Sequence, residues 1–280
     1  MGEPSICDIL KEPLLGHGMN SKSEKDLQEG FEWQRSKQFP TYNPILGEYQ
    51  ARACVELGHG KSALDLPCGD GTLTSIFAEE FERVVGVDAS STHLKTARER
   101  LPAVEFHEAL IEEFTPTEKF DSIFMINILE HLSDPVDVLR KVAEWLNPGG
   151  VIVAQVPNAD AVNRRINEFM GAVNSRDELS PFDLNVAGHR RYYRMSSLID
   201  HVEQAGLNVK STGGVFYKML STPQMDWLLS QEQWENAGYG WGREGAEQEK
   251  DWRAAFCEAC YLLGKERPED CNIVYACITV

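Results

Sequence analysis

Between residues 62 and 157, short apolar runs alternate with stretches of helical periodicity, and this rhythm restricts the fold more than any other feature of the chain. Residues 62–66, 83–87, 104–107, 120–126 and 151–156 read as strands that are apolar along most of their length. Continuous apolar strands, unlike alternating ones, fit burial on both faces. Helices are predicted over 72–81, 93–100 and 135–146, the last stopping at Asn147-Pro-Gly-Gly150. Strands separated by short helices predict an α/β fold: a doubly wound, mostly parallel sheet with helices on both faces. Right-handed crossovers then leave few topologies.

The flanks differ in texture. Ile45, Leu46, Tyr49, Ala53 and Leu57 recur at helical spacing over 42–57, and Gly58 and Gly60 end that helix. Residues 1–44 are polar and mixed, with Leu27, Phe31 and Trp33 as the apolar points of a helical arm. After Pro157, residues 161–184 read as a polar helical segment and 196–205 as a helix closed by Gly206. Segments 207–212 and 215–220 read as two strands, 222–268 as a Trp-, Glu- and Gln-rich helical insertion, and 272–280 as a last strand.

Charge and length exclude whole classes. The 27 basic and 44 acidic residues leave a net charge of −17, which repels nucleic acid and anionic lipid surfaces. The longest apolar stretches, 123–129 and 272–280, fall far short of the about 20 residues of a membrane span. No basic start followed by an apolar run marks the N-terminus, so a cytoplasmic location is expected. Seven cysteines, an odd number, read as reduced thiols. Cys257-x-x-Cys260 places two of them on one helical face, where burial in a core is the expected fate. No cluster of His and carboxylates has metal-ligand spacing, so no metal is expected.

The chemistry concentrates after the first strand. Asp65-Leu-Pro-Cys-Gly-Asp-Gly71 links strand to helix, where open parallel sheets bind ligands. Gly69 and Gly71 let the chain turn sharply and let a ligand approach its backbone. Asp88 closes the next strand, where a carboxylate can accept both hydroxyl hydrogens of a ribose. A dinucleotide site would read G-x-G-x-x-G. Here Pro67 precedes Gly69-x-Gly71, and the acid at Asp65 suits a cationic ligand better than a pyrophosphate.

In these motifs the chain resembles the class I S-adenosylmethionine-dependent methyltransferases, most of all the small-molecule branch that includes the ubiquinone-biosynthesis O-methyltransferases. The resemblance rests on LDLPCGDG at 64–71, VVGVDAS at 84–90, FDSIFMINILEHLSDP at 120–135, LNPGGVIVAQVPN at 146–158 and GHRRYYRMSSLIDHVEQAGLNV at 188–209. Pro67 departs from the glycine often found there. The resemblance implies a Rossmann-like seven-stranded sheet, S-adenosylmethionine as cofactor and S-adenosylhomocysteine as product. It implies a helical arm at 1–44, a cofactor core at 45–158 continued at 188–220 and closed by 269–280, a lid at 159–187 and a substrate-side insertion at 221–268. By position, Asp65, Pro67, Gly69 and Gly71 would hold the methionine portion, Asp88 the ribose, and Ala89, Glu108, Ala109 and Leu110 the adenine. Asn127 and Ile128 would lie near the methionine end. Asp65 as a helix cap and Glu108 as a solvated carboxylate remain open alternatives.

Methyl transfer needs alignment of acceptor and donor, and sometimes removal of a proton. Glu130, His131 and His189 are the candidate bases; His131 could equally start a helix and bond the backbone. Arg190, Arg191, Tyr192 and Tyr193 either line the acceptor site or anchor the lid. The arginines would favour a carboxylate, phosphate or phenolate. Trp33, Tyr42, Trp227, Trp234, Tyr239 and Trp241 could form an aromatic acceptor pocket. The expected partner is a small-molecule acceptor, methylated on oxygen, with nitrogen or carbon as the alternative. A homodimer is compatible with the sequence. A macromolecular methyltransferase, a non-catalytic cofactor-binding protein and a nicotinamide oxidoreductase are the other classes.

Overall fold

The computed structural model describes residues 39–235 and 250–280, and the arm residues Leu27, Phe31 and Trp33 lie outside them. Helix α1 (Tyr42–Leu57) precedes the alternation β1 (Ser62–Asp65), α2 (Thr72–Glu80), β2 (Arg83–Asp88), α3 (Ser91–Arg100), β3 (Glu105–Glu108), β4 (Phe120–Ile126), α4 (Pro135–Ala143) and β5 (Leu146–Pro157). Then come α5 (Val162–Phe169), a π-turn (Asp183–Ala187), α6 (Met195–Gln204), β6 (Asn208–Tyr217), α7 (Thr222–Ser230), α8 (Trp252–Glu266) and β7 (Cys271–Thr279).

The strands form one seven-stranded sheet in the order β3-β2-β1-β4-β5-β7-β6. The pairings from β3 to β5 are parallel; β7 runs antiparallel to β5 and β6. The predicted fold class is therefore the observed one. Strand order reverses between β1 and β4, so their carboxyl ends open a crevice at the topological switch point. One face packs Leu64, Val85, Ile123, Ile152 and Ala276 against Val138, Leu139 and Val142 of α4 and Leu198 and Val202 of α6. The other packs Phe124 and Val153 against Ala51 and Cys54 of α1 and Phe77 of α2.

Three local expectations change. The predicted helix over 161–184 stops at Phe169, because buried Arg164 donates to the carbonyls of Arg176 and Glu178 and folds the segment back on itself. The helix predicted over 135–146 ends at Ala143, and β5 begins at Leu146 with a register shift. The two strands predicted over 207–220 are one strand, β6. Gly213 and Gly214, which fall between the two predicted strands, sit inside it because their missing side chains leave room for the Tyr275 ring and the Cys271 thiol.

The insertion divides in two. Trp227 is 64% exposed, and Trp234 packs on Phe256 at 5.2 Å. Helix α8 packs on β6 and α1, with Tyr261 stacked on Tyr49 at 4.9 Å. It covers an apolar sheet edge, and among the described residues of the insertion only those at the start of α7 line the cavity described below. Cys257 and Cys260 are buried in this core, and burial pushes both thiols up to about 12. Tyr239 and Trp241 lie outside the described residues.

Candidate active site

A cavity of about 480 Å³ opens at the carboxyl ends of β1, β2 and β4. That is ample for a ligand of metabolite size. Its first half is built by the glycine turn. Asp88 Oδ2 accepts from Gly69 N at 2.9 Å and Oδ1 from Ser90 N at 2.8 Å, so one carboxylate ties the turn to the start of α3. Pro67, Gly69, Asp88, Ala89, Ala109 and Leu110 line this half, as the motifs imply. Three implied residues do not reach the cavity wall. Asp65 is 1% exposed under the turn and accepts from Thr74 Oγ1 at 2.7 Å. Glu108 closes β3 outside the wall. Gly71 caps α2 with its α-carbon against α3. Cys68, Asp70, Thr72 and His93 line the wall in their place.

The two turn glycines have separable duties. A Cβ on Gly71 would lie 3.1 Å from the Ala97 backbone, at a φ of +78°. A Cβ on Gly69 would project into open space, the side from which a ligand could lie against the backbone. Gly71→Ala is therefore expected to cost about 1–3 kcal/mol of stability. Denaturant titration of this variant checks it; a midpoint equal to the wild type's would show that α3 can yield.

Asn127 takes a left-handed conformation, φ +53°, at the end of β4, and its side-chain oxygen accepts from Gln50 of α1 at 3.2 Å. Asparagine tolerates this backbone better than most residues. The bend turns Ile128, Glu130 and His131 into the second half of the cavity. Glu130 is fully buried, with neither carboxylate oxygen hydrogen-bonded, and burial raises its pKa to about 7. His131 Nδ1 lies 3.2 Å from Gly188 O, which can only accept, so Nδ1 carries the proton and Nε2 the lone pair. Nε2 is 3.9 Å from Glu130 Oε1. Burial and the neighbouring His189 ring, 5.0 Å away, pull the His131 pKa down to about 3. His189 Nδ1 faces Asp183 Oδ1 at 3.4 Å. Burial works against the Asp183 carboxylate, but the facing His189 ring and hydrogen bonds from Ser180 and Tyr192 hold its pKa at about 2.

The trio Glu130, His131 and His189 thus converges from two distant stretches of sequence. Its donor atoms lie within 4.8 Å of one another. The absence of metal-ligand spacing along the chain does not carry over into space: two imidazoles and a carboxylate form a set that a divalent cation could take.

The RRYY run splits. Tyr192 lines the cavity and donates to Asp183 at 2.8 Å. Arg191 instead donates to Leu129 O and Leu132 O at 3.1 and 2.6 Å, and Tyr193, 1% exposed, bonds Leu129 O and His201. Both hold the segment to the loop after β4. Arg190 is exposed and its backbone donates to Glu130 O. The substrate-binding roles expected of Arg190, Arg191 and Tyr193 therefore have no support in the geometry. Tyr42 does line the cavity, joined by Asn163, Arg164, Asp183 and Lys218, which sequence reasoning missed.

A family model described as a methyltransferase domain matches residues 45–212. This chain belongs to the class I S-adenosylmethionine-dependent methyltransferases. It is 33% identical over 141 residues to a trans-aconitate 2-methyltransferase of Azoarcus sp. (strain BH72), covering 49% of this chain and 53% of that one. It is 29% identical over 171 residues to a ubiquinone biosynthesis O-methyltransferase of Marinobacter nauticus, covering 58% and 70%. The chain spans about half the length of the first of these relatives. In fold it is similar to Haemonchus contortus phosphoethanolamine N-methyltransferase 2 solved with S-adenosyl-L-methionine, at a TM-score of 0.56, 17% identity and coverage of 93% and 60%. No helix among the described residues is long and apolar enough to cross a membrane.

Proposed function

We propose that this methyltransferase-family chain transfers a methyl group from S-adenosylmethionine to an oxygen of a small metabolite. The observation that carries the reading is one cavity with two unlike halves: a glycine turn pinned by Asp88, and a buried acid-base cluster around Glu130. The residues fit the cofactor. Gly69 leaves open space beside the backbone, Asp88 turns a carboxylate toward it, and Ala89, Ala109 and Leu110 supply an apolar wall. When bound, the cofactor supplies an electrophilic methyl on a sulfonium. The chain's own work is to exclude water, orient the acceptor oxygen and take up its proton. Glu130 is the base best matched to that work, because its pKa of about 7 sits at neutral pH, whereas His131 at about 3 is a weak acceptor. The trans-aconitate and ubiquinone-biosynthesis names of the relatives support a small-molecule acceptor.

The test is a screen of phenols, hydroxy acids, carboxylates and amines, with S-adenosylhomocysteine release as readout and a chelator present or absent. Release with an oxygen acceptor, undiminished by the chelator, is the expected result. Release with amines alone would move the reaction to nitrogen. Loss on chelation, restored by a divalent ion, would assign the Glu130–His131–His189 trio to a cation. A chain that binds no S-adenosylhomocysteine would overturn the reading.

A further inference from the structure

Lys218 follows β6 and lines the second half of the cavity, yet it is only 3% exposed. Its ammonium donates to Thr222 Oγ1 at 2.6 Å and to Asn272 Oδ1 at 3.3 Å, and lies 5.0 Å from the centre of the Tyr42 ring. All three neighbours are neutral. Among the described residues no carboxylate pairs with it. Asp183 acts on it only through its field, and that carboxylate is already held by Ser180, Tyr192 and His189. An ammonium has three donors, and the hydrogen bonds here account for two. A cation buried without a counter-ion is costly, and burial pulls this one down to about 7.

Two independent features point the same way. Arg164, 6% exposed, stands in the same wall, stacked 4.2 Å from the centre of the Tyr192 ring; its Nε and Nη2 are held by the carbonyls of Arg176 and Glu178, so it contributes positive charge rather than those donors. Asn163, 8% exposed, also lines the cavity, and its side-chain oxygen has no hydrogen-bond partner. Turned over, the same amide would present N–H donors to the cavity. The start of α7, at Thr222, adds the positive end of a helix.

We propose that the acceptor is a small anion, bearing a carboxylate or phosphate group that takes the Lys218 ammonium as its counter-ion, with Asn163 and Thr222 completing its hydrogen bonds. This rests on the cavity being the transferase site and names the substrate class that site accepts. The positive wall at Lys218 and Arg164 replaces the one that Arg190 and Arg191 suggested in the sequence.

The test uses the full chain, wild type and Lys218→Met, titrated calorimetrically with succinate, inorganic phosphate and neutral succinamide. Each titration is run with and without S-adenosylhomocysteine. The expected result is that succinate or phosphate binds the wild type and succinamide does not. Lys218→Met should weaken the anion by about 10- to 100-fold, as loss of a charge-assisted bond implies, and Lys218→Arg should restore most of it. S-adenosylhomocysteine should bind all three proteins alike. Anion affinity unchanged in Lys218→Met, or succinamide binding as well as succinate, overturns the proposal. Failure of S-adenosylhomocysteine to bind the wild type instead removes the transferase reading, while the anion titrations still decide Lys218. Should Lys218→Met not fold, acylation of the wild type with acetic anhydride, mapped by mass spectrometry, answers the question. Succinate or phosphate must protect Lys218 where succinamide does not, and equal labelling overturns the proposal.

Discussion

Glu130→Gln is expected to make the protein more stable and far less active. The carboxyl group is fully buried with both oxygens unpartnered, and its pKa rises from 4.5 to about 7. The folded chain therefore holds this proton more tightly than the unfolded chain does. Stability from this group is complete below the unfolded value of 4.5 and is lost as pH rises through about 7. Above that, keeping the group ionised costs about 3 kcal/mol, which the neutral amide avoids. The gain should thus be on the order of 5 °C in Tm at pH 8 and small at pH 5. Activity should move the other way, falling about 10²- to 10⁴-fold as a proton acceptor is lost. The wild-type kcat, measured with the acceptor bound so that its anion holds the proton on Lys218, should rise with pH through an apparent pKa near 7, and the variant should lose that limb. Thermal melts at the two pH values and a pH–rate profile measure both. A variant no more stable at pH 8 than at pH 5 would mean that the carboxylate has a partner in solution. Stability of this kind, given up at one residue, is the usual mark of a site kept for chemistry.

Asp88→Ala should weaken S-adenosylhomocysteine binding by about 1–3 kcal/mol, or roughly 5- to 150-fold in Kd. The structure shows one task of this carboxylate directly: it accepts from Gly69 N and Ser90 N, so it shapes the turn that would hold the ligand. A grip on the cofactor ribose, which the motif implies, can be separated from it by a double-mutant cycle. Wild type and variant are titrated with S-adenosylhomocysteine and with its 2′-deoxy analogue. If Asp88 holds the ribose, removing the hydroxyl should weaken the wild type and leave the variant nearly unmoved. Equal losses in both proteins would assign Asp88 to the turn alone. An unchanged Kd in the variant would place the ribose elsewhere.

The sheet was legible because its physics is local. Runs such as Phe120–Ile126 must be strands, and strands buried on both faces with helices between them leave few arrangements. The glycine turn and Asp88 were legible for a similar reason. They lie next to one another at the end of adjacent parallel strands, so sequence order already sets their proximity. The misreadings arose where a residue's role depends on something far away in the chain. Gly213 and Gly214 separate two predicted strands until the Tyr275 ring and Cys271 thiol occupy the space of their side chains within one strand. Arg191 looks like a ligand for an anion until the carbonyls of Leu129 and Leu132 claim it.

The second half of the cavity, around Glu130 and Lys218, shows the same division most clearly. Motif order alone was enough for the fold class, the methyltransferase family and the position of the glycine turn. Which side chains line that half was decided only when β6, β7, α5 and α7 came together. Glu130 and His189 are 59 residues apart by number, and Asn163, Asn272 and Lys218 come from α5, from β7 and from just after β6. Their chemistry depends on burial and on the direction of neighbouring dipoles and charges. Neither quantity exists until the chain has folded, so no spacing in the sequence could carry it.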